Sequence, residues 1–295
     1  MQYADFLFQD IMDDADSLLN RAFQIPINSN SIKIGCDNTT TLGSSGITAV
    51  VVGEGAAIAD SKAATRQVTM NVRKLAALVD VTEELLEDTN VALPAYLSSK
   101  TKYAFDFKIN HDFLFGAASA SGNTTDIADG IVGHASTVVT AKDSSQAAAT
   151  ISYTNLLNMR SQFYGDRSKA VWVMGPDVEA AIMQVQDGAG RNLYFPPGGL
   201  ANQPYGSLFG MPTLVSYHTA ALGTVGDIAL CDWSKFFVAI RGTMDAATTP
   251  FLHWDQQLQS FRTTYRLIGR PERAAVLATP AGYNVSPFVT LATRS

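Results

Sequence analysis

The 295-residue sequence predicts an α+β fold in which strands and helices occupy separate stretches around one long helix. Apolar residues alternate at strand period in residues 68–72 and again in residues 258–268. Between these stretches, Pro94 stands where a proline opens a helix and Gly116 where a glycine closes one. A helix of about 22 residues would be roughly 33 Å long, enough to support the rest of the chain.

The first 24 residues predict an amphipathic helix. Its apolar residues fall on one face, and the aspartates lie mostly off that face. The helix could dock on its own domain, but we favour an arm that lies against a neighbouring molecule. The apolar face consists of Tyr3, Leu7, Ile11, Ala15, Leu18 and Ala22.

Residues 32–66 predict a hairpin that cannot bury a core of its own. The stretch is rich in Gly, Ala, Ser and Thr, and it holds few bulky apolar side chains. The β-branched run at residues 47–52 predicts a strand within it. Because an isolated two-stranded hairpin is marginally stable in water, we expect this one to lie on another surface.

The alternating pattern slips by one residue after Val72. Residues 75, 77, 79 and 81 then carry the apolar face. A slip of one residue turns every following side chain to the other face, so we expect a bulge or a change of sheet near Arg73 and Lys74. Thr82 is predicted to cap a short helix, with Glu83 and Glu84 in its first turn.

The second half of the chain predicts a separate domain, which begins in the polar, small-residue stretch 119–145. Thr154 is predicted to cap one helix, and Gly175-Pro176 is predicted to start another. Strands are predicted at residues 169–174, 227–232, 235–240 and 274–278, and residues after 278 are predicted to form a tail.

Charge and cysteine content narrow the function classes. The net charge is −6 and no basic stripe is present, which argues against sequence-specific recognition of nucleic acid. Only 16% of residues are charged, below the ~25% average. Either a large fraction of the chain is buried, or partner molecules cover much of its surface. The acidic N-terminus, with no apolar run near ~18 residues, predicts neither a signal peptide nor a membrane span. Cys36 and Cys231 are far apart and suit a reducing cytoplasm.

No motif predicts catalysis. The four histidines are scattered without metal-ligand spacing, and no nucleophile elbow, P-loop or dinucleotide fingerprint occurs. The acidic cluster at residues 83–88 is better interpreted as a solvated helix face than as a cation site. We therefore predict no catalytic residue, no cofactor and no metal.

The order and spacing of three stretches are informative. The stretches are Glu54-Gly-Ala-Ala-Ile-Ala-Asp60, residues 72–88, and the long helix to Phe115-Gly116. In order and spacing they resemble the tailed-phage major capsid protein family, which has the HK97-like fold. The resemblance covers most of residues 47–280 and is strongest over residues 51–116.

The resemblance implies a division of the chain into named parts. These are an N-terminal arm (1–31), an extended β-hairpin or E-loop (32–67), a P domain with the spine helix (68–120), an A domain (121–240), P-domain return strands (241–272), and the last A-domain strand with the C-terminal tail (273–295).

It also implies a structural role. Copies would form pentamers and hexamers that close into an icosahedral shell around double-stranded DNA, without sequence-specific binding. Portal, scaffold and decoration proteins are the implied partners, and no membrane is involved. The implied location is the virion, assembled in the host bacterial cytoplasm. Many members carry a cleaved scaffolding segment ahead of this point, so we expect processing or a separate scaffold protein.

The residues predicted to form interfaces lie on the hairpin, at the phase slip, in the loop 188–206 and on the strand 258–268. They are Glu54, Asp60, Lys62, Arg73, Lys74, Arg191, Tyr194, Phe195, Arg262 and Arg266. Between Ile34 and Ser61 the chain has neither Lys nor Arg, so the hairpin lacks a lysine for a covalent cross-link. The shell is therefore predicted to be non-covalent.

Two alternatives stay open at this stage. An encapsulin-like compartment shares the fold and would bind a cargo peptide on its inner face. A monomeric enzyme without a recognisable motif would instead need a polar pocket.

Overall fold

The computed structural model describes residues 17–43, 46–47, 49–58, 60–88, 93–120, 123–144, 146–186, 194–195 and 206–294. The helices are α1 (Leu18–Arg21), α2 (Glu83–Asp88), α3 (Leu93–Phe115), α4 (Tyr153–Gln162) and α5 (Pro176–Ile182). The strands are β1 (Phe23–Ile27), β2 (Ser31–Asp37), β3 (Thr65–Asn71), β4 (Arg73–Thr82), β5 (Val138–Thr140), β6 (Ala170–Met174), β7 (Tyr194–Phe195), β8 (Ser207–Leu208), β9 (Met211–Val215), β10 (Ile228–Asp232), β11 (Phe236–Arg241), β12 (Asp245–His253), β13 (Leu258–Pro271), β14 (Leu277–Ala278), β15 (Asn284–Val285) and β16 (Phe288–Leu291).

The long helix α3 is confirmed, with 23 residues. It ends at Phe115, where the amide of Gly116 still donates to the carbonyl of Asp112 at 2.8 Å. Phe105, Ile109 and Phe113 are buried along one face. Among the described residues, no helix combines the length and the apolar character needed to cross a membrane.

A five-stranded sheet lies beside α3, and β13 runs through its middle. On one side β13 pairs with β4 over ten antiparallel positions, and on the other side it pairs with β11 and then β12. Parallel pairing adds β1 to β11. The predicted strand at 258–268 is therefore confirmed, and it extends to Pro271. Leu267 is buried in the same core as Phe113, and Tyr265 packs against that core.

The phase slip after Val72 is a change of sheet, as predicted. The strand before it, β3, pairs with β2 in a two-stranded sheet, while β4 joins the five-stranded one. Val68 and Met70 are buried on the inner side of the hairpin base. The slip lets one continuous piece of chain bury opposite faces in two sheets.

A seven-stranded sheet forms the second part, in the order β5-β16-β10-β6-β9-β8-β7. Its central strands β6 and β10 are buried at every position, and the predicted strands there are confirmed. Helix α5 begins at Pro176 after Gly175, also as predicted. The predicted cap of α4 was wrong: Ser152 caps it, in a reciprocal pair of hydrogen bonds with Asn155.

Both ends of the described chain differ from prediction. Residues 1–16 of the predicted amphipathic helix lie outside the described residues, and the helical turn that follows ends at Arg21, after which β1 begins at Phe23. The strand predicted at 274–278 shrinks to β14, which pairs with β15. The strand that rejoins the large sheet is β16, between β5 and β10, where a tail was predicted.

One apolar core joins the two large sheets. Val171 and Val173 of β6 share it with Phe236 and Val238 of β11, and Phe113 of α3 lies among them. Phe113 and Phe236 pack with ring centroids 4.8 Å apart. The body of the subunit is therefore held together across its two sheets.

Candidate assembly interface

The hairpin beyond β2 and β3 presents apolar side chains to solvent. Val51 is fully exposed, and Glu54, Asp60 and Lys62 are exposed as well. The predicted strand at residues 47–52 is wrong for the single chain, because the described residues there belong to no strand. The exposed large apolar side chains of this tip are Ile47, Val50, Val51 and Ile58.

The root of the hairpin is fixed to the body of the subunit. The amide of Leu42 donates to the carbonyl of Ala278 at 2.8 Å, and the amide of Ala278 donates to the carbonyl of Thr40 at 2.8 Å. Arg273 donates through Nη1 to the carbonyl of Thr39 at 3.1 Å. The hairpin is thus held at its root and exposed at its tip, which is the arrangement of an arm that reaches outward.

The outer face of the five-stranded sheet carries a row of cations. Lys74 stands directly opposite Arg266 in the β4–β13 ladder, and Arg262 lies further along β13, opposite Leu78. All three charged side chains are exposed. Among the described residues none of these three has an ion-pair partner. The same face also carries exposed Asp80 and Asp245, so the cations form a local row and not a wholly basic surface.

A cluster of exposed aromatic residues sits at the turn from β12 to β13. Phe251 is 76% exposed and Trp254 is 70% exposed, and Leu252 lies between them. The two rings stack, with centroids 6.1 Å apart. Exposed apolar clusters of this kind mark contact sites. Sequence reasoning missed this one, although the Phe-Leu-His-Trp run just before the alternating strand was a usable signal.

Two of the residues predicted to form interfaces are used inside the subunit. Arg73 donates to the carbonyls of Asp126 and Ala118 at 2.7 and 2.5 Å, which ties β4 to the loop after α3. Tyr194 is only 3% exposed, and its hydroxyl donates to Glu179. Burial, with Glu179 beside it, raises the pKa of Tyr194 to about 12.

Two further predicted residues lie wholly or partly outside the description. Arg191 lies outside the described residues, as does most of the loop 188–206. Phe195 belongs to β7 by its backbone, but its side chain is not described. A role for these two residues in assembly stays a prediction.

Carboxylates hold the loop that follows α3. Buried Asp112 accepts the amide of Ile127 at 2.9 Å and the ammonium of Lys108 at 2.8 Å. Asp129 accepts a hydrogen bond from Arg270 Nε at 2.7 Å. Burial alone would raise the pKa of Asp129, but hydrogen bonds from Ser119 and the Arg270 pair outweigh burial and lower it. These two carboxylates hold the backbone of the loop and its neighbouring side chains in place.

The histidines and cysteines of the described chain also have structural surroundings. His218 packs edge-on against Phe107, with ring centroids 4.2 Å apart. Cys36 and Cys231 are buried and unpaired, and burial raises the pKa of the Cys231 thiol. Within the described ranges, no group of three or more His, Cys, Asp or Glu residues could hold a metal ion.

Comparisons with known proteins agree with this architecture. Among solved structures, the capsid of an empty GTA particle, computed with C5 symmetry, has a TM-score of 0.75 at 18% identity, covering 100% of this chain and 95% of its own. A protein of Mycobacterium phage Adephagia has a TM-score of 0.67 at 15% identity, covering 99% and 94%. The capsid structure of the cyanophage P-SCSP1u has a TM-score of 0.59 at 12% identity, covering 100% and 93%. At these identities the likeness shows the fold.

The sequence comparisons decide the family. The search of curated proteins found no match. A model of the phage capsid family, in contrast, matches residues 8–280, which is nearly the whole chain. The chain therefore belongs to the phage capsid family and is a shell-forming structural protein of the capsid.

Proposed function

We propose that this chain is the major building block of a tailed-phage head, in which pentamers and hexamers close into an icosahedral shell around double-stranded DNA. The observation that carries the proposal is the hairpin of residues 32–67, which is anchored at its root and has no buried side chain in residues 49–58 of its tip. The similar fold of the GTA capsid subunit supports the proposal of a shell. Contacts between different patches, repeated with closing curvature, give closed assemblies.

The proposed division of labour follows the parts predicted from sequence. Three parts form the outer contacts between subunits. They are the N-terminal arm (1–31), the E-loop hairpin (32–67) and the P domain (68–120 and 241–272). The A domain (121–240 and 273–295) points toward the capsomer axis. We assign β11 to the P-domain sheet as well, because it pairs with β13, so the proposed return begins a few residues before 241.

The proposed interface uses the exposed residues of the predicted set. Glu54, Asp60 and Lys62 lie on the hairpin, and Lys74, Arg262 and Arg266 lie on the sheet. The aromatic turn at 251–254 is a further contact. The role is structural and without catalysis. Assembly in the host cytoplasm, with portal, scaffold and decoration proteins as partners, belongs to the same proposal.

Expression of the chain, alone and with a scaffold protein, tests the proposal by sedimentation and electron microscopy. Capsomers or closed shells are expected. A monomer at every concentration and salt condition would contradict it.

A truncation separates assembly from folding. Replacing residues 49–58 with a short Gly-Ser linker removes no buried side chain, so the free energy of unfolding should change by no more than about 0.5 kcal/mol. Shells should nevertheless fail to close. If the truncated chain unfolds, the tip belongs to the core; if it still forms shells, the arm is dispensable.

A further inference from the structure

Residues 49–53 have the composition of a strand but lack a partner in their own chain. The β-branched run around them predicted pairing, yet no described residue of this segment belongs to a strand. Val50 and Val51 are exposed. The backbone donors and acceptors of such an extended segment gain most from pairing with the edge of a sheet.

The five-stranded sheet offers a matching edge at β4. Within the described residues, β4 pairs with β13 along one side only, and no strand pairs with its other side. The strand is ten residues long and contains no proline. The open edge of β12 is less suitable because it contains Pro250, which cannot donate a hydrogen bond.

The charges on the sheet indicate that residues 49–53 would end near Lys74, close to the start of β4. Lys74 lies directly opposite Arg266, and like charges in this position repel each other. Between Ile34 and Ser61 the arm holds acids and no Lys or Arg. A carboxylate of the arm beside Lys74 would offset the repulsion, and Glu54 directly follows the unpaired segment.

An antiparallel register with Glu54 opposite Lys74 also matches the apolar residues. It places Val52 opposite Ala76 and Val50 opposite Leu78. Because side chains in a strand alternate between faces, all three pairs lie on the same exposed face of the sheet. Leu78, which is 55% exposed in the single chain, would be covered.

We propose that residues 49–53 of one copy add as an antiparallel strand to the free edge of β4 in a second copy, with Glu54, the first residue of the turn that ends the segment, facing Lys74. This inference rests on the proposed shell function, and it names the surface that receives the arm and the mode of contact.

Disulfide trapping tests the register. Val50→Cys combined with Leu78→Cys should give a ladder of covalent multimers on a non-reducing gel when assembled particles are mildly oxidised. Val50→Cys with Ala76→Cys is the off-register control. In the proposed register these two residues are diagonal neighbours, about 7–8 Å apart, whereas the Cα atoms of an unstrained disulfide are about 7 Å apart at most. Val50→Cys with Ala247→Cys tests the β12 edge instead. Equal trapping in all three pairs, or trapping only in a control pair, would overturn the proposal.

A charge exchange tests the same pair without cysteines. Glu54→Lys should reduce the yield of shells, and Glu54→Lys combined with Lys74→Glu should restore it. Asp60→Lys is the matched control, because Asp60 lies beyond the paired segment, and its effect should not be rescued by Lys74→Glu. An unrescued Glu54→Lys variant would count against the pairing.

Hydrogen exchange on the unaltered protein covers the case in which the variants do not assemble. The amides of residues 49–53 should gain protection in shells and lose it on dissociation. Shells that form without this protection, or without the disulfide ladder, would refute the added strand while leaving the shell function intact. A protein that never assembles would refute the shell function itself.

Discussion

The buried ion pair between Asp227 and Arg294 gives the sharpest stability prediction. Both side chains are fully buried. The Asp227 carboxylate also accepts the amides of Gly223 at 2.9 Å and Ile228 at 2.8 Å. The backbone of Arg294 is held by Gly223 at 2.7 Å and by Ala149 at 3.0 Å. The guanidinium of Arg294 thus binds the loop that carries Asp227, while the backbone of Arg294 binds Gly223 of the same loop and Ala149 of a second loop.

Arg294→Met keeps the length of the side chain and removes its charge, leaving Asp227 buried without a cation. Breaking a buried pair from one side costs about 3–5 kcal/mol, against a total stability of about 5–15 kcal/mol for a typical protein. Urea unfolding should be measured on the unassembled subunit, because assembly would add stability by mass action.

The loss of unfolding free energy in Arg294→Met should also depend on pH. Burial raises the pKa of Asp227, while its amide hydrogen bonds and Arg294 hold it down. Without Arg294 the pKa in the folded state rises further above the unfolded value. The variant is therefore least impaired at low pH. Its deficit relative to the wild type grows by about 1.4 kcal/mol per pH unit, starting at the already raised folded-state pKa of the wild type and ending at the higher one of the variant.

Two further variants make this prediction refutable. Asp227→Asn combined with Arg294→Met removes both charges but keeps an acceptor, so it should recover most of the loss. Arg167→Met removes an exposed arginine and should change stability by no more than about 0.5 kcal/mol. A loss below about 1 kcal/mol in Arg294→Met, or no recovery in the double variant, would show that the pair does not hold the fold as described.

Three other predictions concern folding and covalent state. The lowered pKa of Asp129 means that its carboxylate stabilises the fold above about pH 4 and loses this effect as pH falls through the folded pKa; Asp129→Asn should therefore flatten the acid limb of the stability curve, and an unchanged limb would contradict this. Gly116→Ala would place a Cβ 2.5 Å from two backbone carbonyl oxygens and should lower the free energy of unfolding by about 1–3 kcal/mol, whereas Gly35→Ala, with nothing within 4 Å, should not. Particles boiled in SDS should give one band near 31.6 kDa; a ladder would indicate covalent links, with Lys62 the first residue to examine.

The sequence allowed the central elements to be predicted because their patterns are long and local. Helix α3 has a proline near its start and a glycine just past its end, and β13 alternates over many residues. The change of sheet after Val72 could be located to within a residue, since a phase slip reverses every later side chain.

Short and non-local elements were beyond this reasoning. The four residues of β16 are buried at every position, so they show no alternation and could not be distinguished from a tail. The cap of α4 was predicted two residues too late, because Thr154 is also a favourable capping residue and the sequence alone did not distinguish it from Ser152. The hydrogen bond from Tyr194 to Glu179 could not be predicted either, because the two residues belong to different elements; a role for Tyr194 in an interface stays a prediction.

The prediction of a strand at 47–52 shows a different limit. The residues have the β-branched composition of a strand, but pairing needs an edge that the single chain does not supply to them. Propensity describes what a segment can do, while its partner decides whether it does so.

The apolar core shared by the two large sheets has a mechanical consequence for a shell. In the proposed shell, five-fold and six-fold positions would require different angles between adjacent subunits, and some part of each subunit would have to bend to provide them. Since Val173 and Phe236 belong to one continuous core, rotating one sheet against the other would open cavities among close-packed side chains. In the proposed shell, adaptation to curvature would therefore fall to the exposed hairpin and the aromatic turn, while the body of the subunit would move as one rigid unit.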